Sequence, residues 1–463
     1  MKKTIAAKKP IVIILILLLT ACKEKYDYTA NSIPELEKYL SGKPANTPDN
    51  PYKIAMNGKF DHGLGRIKFD DKYVILDLSG STYDQIDSYA FKYTDNIIKI
   101  IFGKSVVKIN KEAFYGCKNL KSVTIPESVS YIGKEAFYDC AGLTSITIPK
   151  SVIYIGDRAF YGCSGLNSIN VDSANTDYYS INGIFYDKDK TSLTQCPQRK
   201  TGDIVISNSV TVIGESSFKN CAGITGVTIP DSIVSIGERA FWKCEGLTSI
   251  KIPDSVKTIG KAAFYECSGL TDVTIGNSVT AIERKTFYKC TGLTGITIPG
   301  SVVNIDEDAF LGCKNIVSVT VTDSVNVILR GIFQDCDNLT DIILDDTVTR
   351  IWDYAFSNFS SLKQITIPPG VEYIGNYAFF NCTGLTSITI PAKVNYIGEK
   401  AFRYYTGLTS VTFENTIPSK NFRADAFNGD LRDKFYEKDK DNGTPGTYIT
   451  AAPVGDKLIW TRR

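Results

Sequence analysis

One histidine serves the whole 463-residue chain. It is His62, in the glycine-rich stretch Asp61-His62-Gly63-Leu64-Gly65, and a Ser-His-Asp or Cys-His device would have to be assembled around that single ring. An isolated surface imidazole is the simpler reading. Charge of one sign is missing too: 52 Lys and Arg stand against 50 Asp and Glu, a formal charge of +2, too balanced to draw in a phosphate backbone. Nucleic acid is therefore not an expected partner. No C-x-x-C pair occurs to begin a zinc site, and Gly63-Leu64-Gly65 lacks the third glycine of a dinucleotide fingerprint. The acidic stretches Asp187–Thr191 and Glu437–Gly443 do not place glycine sixth and glutamate twelfth, as a calcium loop requires. Neither a cofactor nor a metal nor an active site is expected.

Long apolar runs are absent apart from one short exception. Ile11–Leu19 follows Lys2, Lys3, Lys8 and Lys9 and is too short for the roughly 20 residues of a membrane span, so it reads as a secretory signal over residues 1–22. The signal ends in Leu19-Thr20-Ala21-Cys22, which resembles the lipobox of bacterial lipoproteins. That resemblance implies a diacylglyceryl group on Cys22, and two acyl chains anchor a protein stably. Lys23 is not the aspartate that retains some lipoproteins at the inner membrane, which favours the outer membrane or cell surface.

Apolar residues at 43% and charged residues at 22% describe a folded chain, and repetition dominates it. Phenylalanine recurs every 23 residues at 91, 114, 137 and 160, then from 218 to 402. Cysteine follows three residues later from Cys117 to Cys382, with Phe359 and Tyr405 standing in its column, so an apolar filler is what the column is expected to need. One period reads I-G-x-x-A-F-x-x-C-x-x-L-x-x-I-x-I-P-x-S-V. Ile146 and Ile148 alternating with Ser145 and Thr147 mark a half-buried strand, Pro149 ends it, and Gly133 supplies a turn where a positive φ is expected. A single period cannot cover its apolar side. Stacked periods give a β-rich solenoid of about 14 coils, on the strand spacing of about 4.8 Å.

Residues 23–79 are expected to form a tether and N-terminal cap, with Ser32 and Glu35 as a capping box before a short helix. The solenoid is expected over 80–427 and a C-terminal cap over 428–463 with Trp460 packed on it. Cys163 and Cys221 stand 58 residues apart where two periods give 46, which predicts a hairpin excursion at about 171–205, centred on Ser180–Thr194 with Asp187-Lys188-Asp189-Lys190 at its turn. Ladder cysteines in equivalent places of adjacent coils have parallel Cβ vectors about 5 Å apart, wider than a disulfide needs, so buried free thiols are expected, with the exposure of Cys196 open.

The pattern IGxxAFxxCxxLxxIxIPxSV is similar to the BspA-like leucine-rich repeat of surface proteins from spirochaetes, Bacteroidetes and some protists. The resemblance implies a leucine-rich repeat solenoid and adhesion to host matrix proteins, host cell-surface proteins or other bacteria. Candidate binding residues are the aromatics that follow each phenylalanine: Tyr115, Tyr138, Tyr161, Trp242, Tyr265, Tyr288 and Phe380. Mutual packing of these rings is the competing account. A second candidate is the small, hydroxyl-rich strand face typified by Ser145 and Thr147. The alternative function is a structural envelope scaffold facing the periplasm without a specific ligand.

Overall fold

The computed structural model describes residues 26–59, 64–322, 327–328, 331–451 and 458–463. The signal segment, Cys22 and His62 lie outside the described residues. Each 23-residue period closes into one coil, and successive coils are joined through three separate ladders. The first is the expected strand: Ile146 and Ile148 are buried, Ser145 and Thr147 exposed, and Ser145–Ile148 pairs in parallel with Ser168–Val171 one period on. Pro149 then begins a tight turn closed by the Val152 amide on its carbonyl at 3.2 Å.

The second ladder consists of strands only two residues long, such as Tyr131–Ile132, which pairs in parallel with Lys108–Ile109 and Tyr154–Ile155. The third is made of turns. Glu135, Phe137 and Asp139 donate their amides to the carbonyls of Asp157, Ala159 and Tyr161 at 3.0, 2.8 and 2.8 Å. Alternate amides can all point along the stack because Glu135 and Asp139 are both left-handed, with φ of 55°. Such a conformation costs a non-glycine residue roughly 1–2 kcal/mol, which the inter-coil bond and the buried phenylalanine offset.

This corrects the role expected for Gly133, whose φ is not positive. A Cβ there would lie 2.5 Å from the Lys111 amide nitrogen, so the glycine column exists because the backbones of neighbouring coils touch. The side chains follow the same stacking. Phe114 and Phe137 lie 5.2 Å apart at 4°, and Phe241 and Phe264 5.1 Å apart at 2°, every ring buried.

All eleven described cysteines are free and buried, Cys196 included. Their column is more than an apolar filler. Cys140 Sγ donates to the Phe114 carbonyl at 3.1 Å and Cys267 Sγ to the Phe241 carbonyl at 3.0 Å, so these thiols satisfy acceptors in the preceding coil, whereas Cys196 Sγ turns to the adjacent Pro197 carbonyl. Burial pushes the Cys267, Cys313 and Cys382 thiols up to about 12.

The solenoid has about 16 coils, more than the 14 expected. The difference arises at the N-terminus. Tyr52–Lys59 and Val74–Thr82 pair in parallel with each other, and Val74–Thr82 with Ile97–Ile101, so strands expected to cap the first repeat are themselves rungs. They carry the strand of a period without its phenylalanine and cysteine, and columns of single residue types pass over them. The helix Ile33–Ser41 starts where expected: the Ser32 hydroxyl accepts from the Glu35 amide, the Glu35 carboxylate accepts from the Asn31 amide, and Leu36 and Leu40 are buried. At the other end Gly446–Ile449 runs antiparallel to Ser410–Phe413, the helix Leu431–Phe435 buries its two terminal residues, and Trp460 is buried with its indole N–H on the Asn428 carbonyl at 3.1 Å. No described helix is long and apolar enough to cross a membrane.

The excursion is a three-stranded antiparallel meander rather than a single hairpin: Tyr178–Ile181, Ile184–Asp187 and Ser192–Gln195. Its first turn is Asn182-Gly183, with φ of 51° and 75°, the pair of left-handed residues that a two-residue hairpin prefers. The Asp187 to Lys190 stretch forms the second. Its middle strand divides the apolar core in two. Phe185 packs with Tyr178 into the core of the first stack, while Ile184 and Tyr186, on the opposite face, belong to the core of the second.

Candidate recognition surface

Because phenylalanine points inward, the residue after it stands on the flank of the coil, and one period on it meets its counterpart. Tyr115 and Tyr138 are 4.7 Å apart at 8°, and Tyr138 and Tyr161 5.3 Å at 25°. In the second stack Trp242 and Tyr265 stack at 3.8 Å, and Tyr265 and Tyr288 at 4.6 Å. All six are half-buried. The rings therefore cover one another's faces and present their edges to solvent. Burial raises the hydroxyls of Tyr115, Tyr138 and Tyr161, and pushes that of Tyr265 up to about 12, so these four stay protonated at neutral pH.

The structure adds two members that ring chemistry in the sequence does not single out. Tyr93 heads the row, meeting Tyr115 edge-on at 5.3 Å. Lys219 occupies the break, its ammonium 4.9 Å from the Tyr161 ring centroid and 5.4 Å from that of Trp242. A positional signal for it exists, since Lys219 follows Phe218 as Tyr161 follows Phe160. Burial, reinforced by the charges of Arg239 and Arg158, lowers the Lys219 ammonium below the usual lysine range. One aromatic row thus runs from Tyr93 to Tyr288 across both stacks with a cation at its centre. Phe380 is not part of it. It packs beside Tyr377 at 5.3 Å and Tyr404 at 5.1 Å near the C-terminal end.

The strand face keeps Ser145 and Thr147 exposed. In the column that precedes it, Thr248 and Thr271 Oγ1 donate to the carbonyls of Thr225 and Thr248, one coil back, both at 3.0 Å. That neighbouring column is thereby committed to ladder contacts. The acidic turns are self-satisfied as well: Asp187 Oδ1 accepts from the amides of Thr191 and Ser192, and Asp439 Oδ1 from those of Asp441 and Asn442. Among the described residues no group of three or more His, Cys, Asp or Glu could hold a metal ion.

Comparison with curated proteins gave no match. Among solved structures the chain resembles a leucine-rich repeat protein from Eubacterium ventriosum, at 24% identity and a TM-score of 0.51 over 73% of this chain and 91% of that one. It also resembles a leucine-rich repeat protein from Bacteroides ovatus, at 27% identity and a TM-score of 0.46 over 71% of this chain and 76% of that one. The BspA type leucine-rich repeat region, described in six copies, matches residues 84–198, 195–317 and 303–431. With stacked phenylalanines, thiol-bonded coils and three inter-coil ladders on either side of the meander, the chain belongs to the BspA type leucine-rich repeat family, whose solenoid is a protein-interaction fold.

Proposed function

We propose that this is a lipid-anchored adhesin of the bacterial surface, which binds host matrix proteins, host cell-surface proteins or other bacteria and carries no catalytic activity. The observation that carries the reading is the row Tyr93–Tyr115–Tyr138–Tyr161–Lys219–Trp242–Tyr265–Tyr288. Half-buried aromatics with polar tips give large contact area at little cost in side-chain entropy, and such residues dominate the energetics of protein interfaces. A row pre-ordered by stacking has already lost the freedom that binding would otherwise cost. Many copies on one membrane would turn modest affinities into firm attachment. The signal segment and the lipobox Cys22 support display outside the inner membrane.

The test uses the chain from Lys23 to Arg463 against immobilised matrix proteins and partner cells, beside an inert repeat protein. Binding above that control, reduced about ten-fold or more by Tyr138→Ser with Trp242→Ser, is expected. No binding across a broad panel, together with resistance of the protein to protease on intact cells, would instead point to a scaffold inside the envelope.

A further inference from the structure

Cys196 stands where other coils place phenylalanine. Its amide donates to the Ser217 carbonyl at 2.7 Å, as the Phe218 amide does to the Ala240 carbonyl and the Phe241 amide to the Ala263 carbonyl. Its own carbonyl is approached by the thiol of the next coil, Cys221 Sγ at 3.6 Å, as Cys244 Sγ approaches the Phe218 carbonyl at 3.0 Å. The meander therefore returns to the solenoid on a rung whose phenylalanine place holds a thiol. Cys117, Cys140 and Cys163 each meet a phenylalanine of the preceding coil, whereas Cys221 meets a second cysteine.

That exchange of columns removes the obstacle to a disulfide. Cysteines of one column, such as Cys117 and Cys140, project in parallel from equivalent places and do not turn toward each other. Cys196 and Cys221 belong to different columns, and their sulfurs converge: Cys196 Sγ lies 3.8 Å and Cys221 Sγ 3.7 Å from the same Pro197 carbonyl oxygen. Neither thiol is well served by that acceptor, since the thiols bonded to phenylalanine carbonyls lie 2.9 to 3.4 Å from theirs. The two are in hydrogen-bonding contact with each other, and that contact, ahead of burial, lifts the Cys221 thiol well above its usual value. For Cys140, between two neighbours of its own column, burial comes first.

Both thiols are buried, but they sit at the edge of the second core. Thr194 and Gln195, beside Cys196, line a cavity of about 200 Å³ between the stacks, with the exposed Arg158 and Glu215 also in its wall. Opening of a terminal rung costs less than opening of a whole stack. Here such an opening brings both sulfurs to solvent together.

We propose that Cys196 and Cys221 form a redox site, which closes to a disulfide when the folded chain meets a disulfide oxidant. In the reaction the Cys196 thiolate attacks one sulfur of the oxidant and expels a thiolate, leaving a mixed disulfide. The Cys221 thiolate then attacks the Cys196 sulfur and expels the second thiolate. Each protein thiol gives up its proton, the two expelled thiolates take up protons, and the oxidant's disulfide is reduced to two thiols as the new one forms. The cross-link spans 25 residues and ties the last strand of the meander to the first complete coil of the second stack. This inference goes beyond the adhesion reading and stands without it; export would supply the oxidising surroundings.

The test uses residues 23–463, purified reduced and then held folded in oxidised glutathione. The chain is alkylated with iodoacetamide in denaturant without reductant and digested with trypsin. One disulfide per chain is expected, joining the peptides 191–199 and 220–239, with the mass of two hydrogens lost and the other described cysteines alkylated. The thermal transition of the second stack should rise by about 3–6 °C and fall back on reduction. Cys196→Ser should abolish both the joined peptides and the shift. No cross-link, a cross-link between neighbours of one column such as Cys221 and Cys244, or a shift that persists in Cys196→Ser would overturn the proposal. The peptide map is read on the unaltered chain, so it decides the matter even where the variant does not fold.

Discussion

The two stacks of this solenoid are built from the same coil, yet they do not share a core. From Ala30 to Phe185 the buried residues form one cluster, and from Ile184 to Trp460 they form another, with the boundary running through a single strand. The first stack holds three thiols of the cysteine column, Cys117, Cys140 and Cys163, and the second holds the remaining eight described ones. Cooperativity in a repeat protein comes from contacts between neighbours. Similar coils therefore do not ensure one cooperative unit, and one inserted meander is enough to interrupt it.

The largest separation of the two stacks is expected at high pH. A thiol held protonated in the folded chain, near 12 for Cys267, Cys313 and Cys382, against about 8.5 when unfolded, binds more protons in the native state. Stability is therefore complete below about pH 8.5 and falls as pH rises toward 12, by about 1.4 kcal/mol per thiol per pH unit. Richer in thiols, the second stack should melt first, and circular dichroism across a pH series would follow it. Equal alkaline sensitivity of both stacks would break the comparison.

Point changes sharpen it at smaller scale. Phe264 is stacked between Phe241 at 5.1 Å and Phe287 at 5.3 Å, so Phe264→Ala should cost about 3–5 kcal/mol, confined to the second transition in urea. Phe160 has a stacked phenylalanine on one side only, at 5.8 Å, and Phe160→Ala should cost less. Gly260→Ala places a Cβ 2.5 Å from the Glu238 nitrogen, which forces two coils apart at an expected cost of about 2 kcal/mol. The smallest effect belongs to Lys219→Met, which removes two cation–ring contacts across the break but also a charge that burial, Arg239 and Arg158 disfavour, so the two effects oppose and the net change should stay under about 1 kcal/mol, measured as a Tm shift.

Columns of large buried side chains are plain in the sequence, because phenylalanine, leucine and isoleucine each occupy one place in the coil. The short ladder through Tyr131–Ile132 is not, since two residues carry no alternation. Nor are the left-handed turns: Glu112, Glu135, Arg158, Ala262 and Lys285 share a positive φ and no chemistry. The glycine column is visible but its cause is not, as close approach of neighbouring backbones leaves the same letter as a positive φ. The thiol bond to the preceding phenylalanine carbonyl is hidden by Phe359 and Tyr405, which fill the column without donating to it. Of the candidate surface, the six aromatics flanking the break follow from spacing alone. Lys219 shares their position but not their ring chemistry.

Native-state hydrogen exchange across a urea series reads the division of the core most directly. Amides of the first stack, such as Phe114 and Phe137, should exchange through one opening, and those of the second, such as Phe264 and Phe287, through another with its own free energy and its own urea dependence. Convergence of all four on a single opening would show one continuous core and contradict the account.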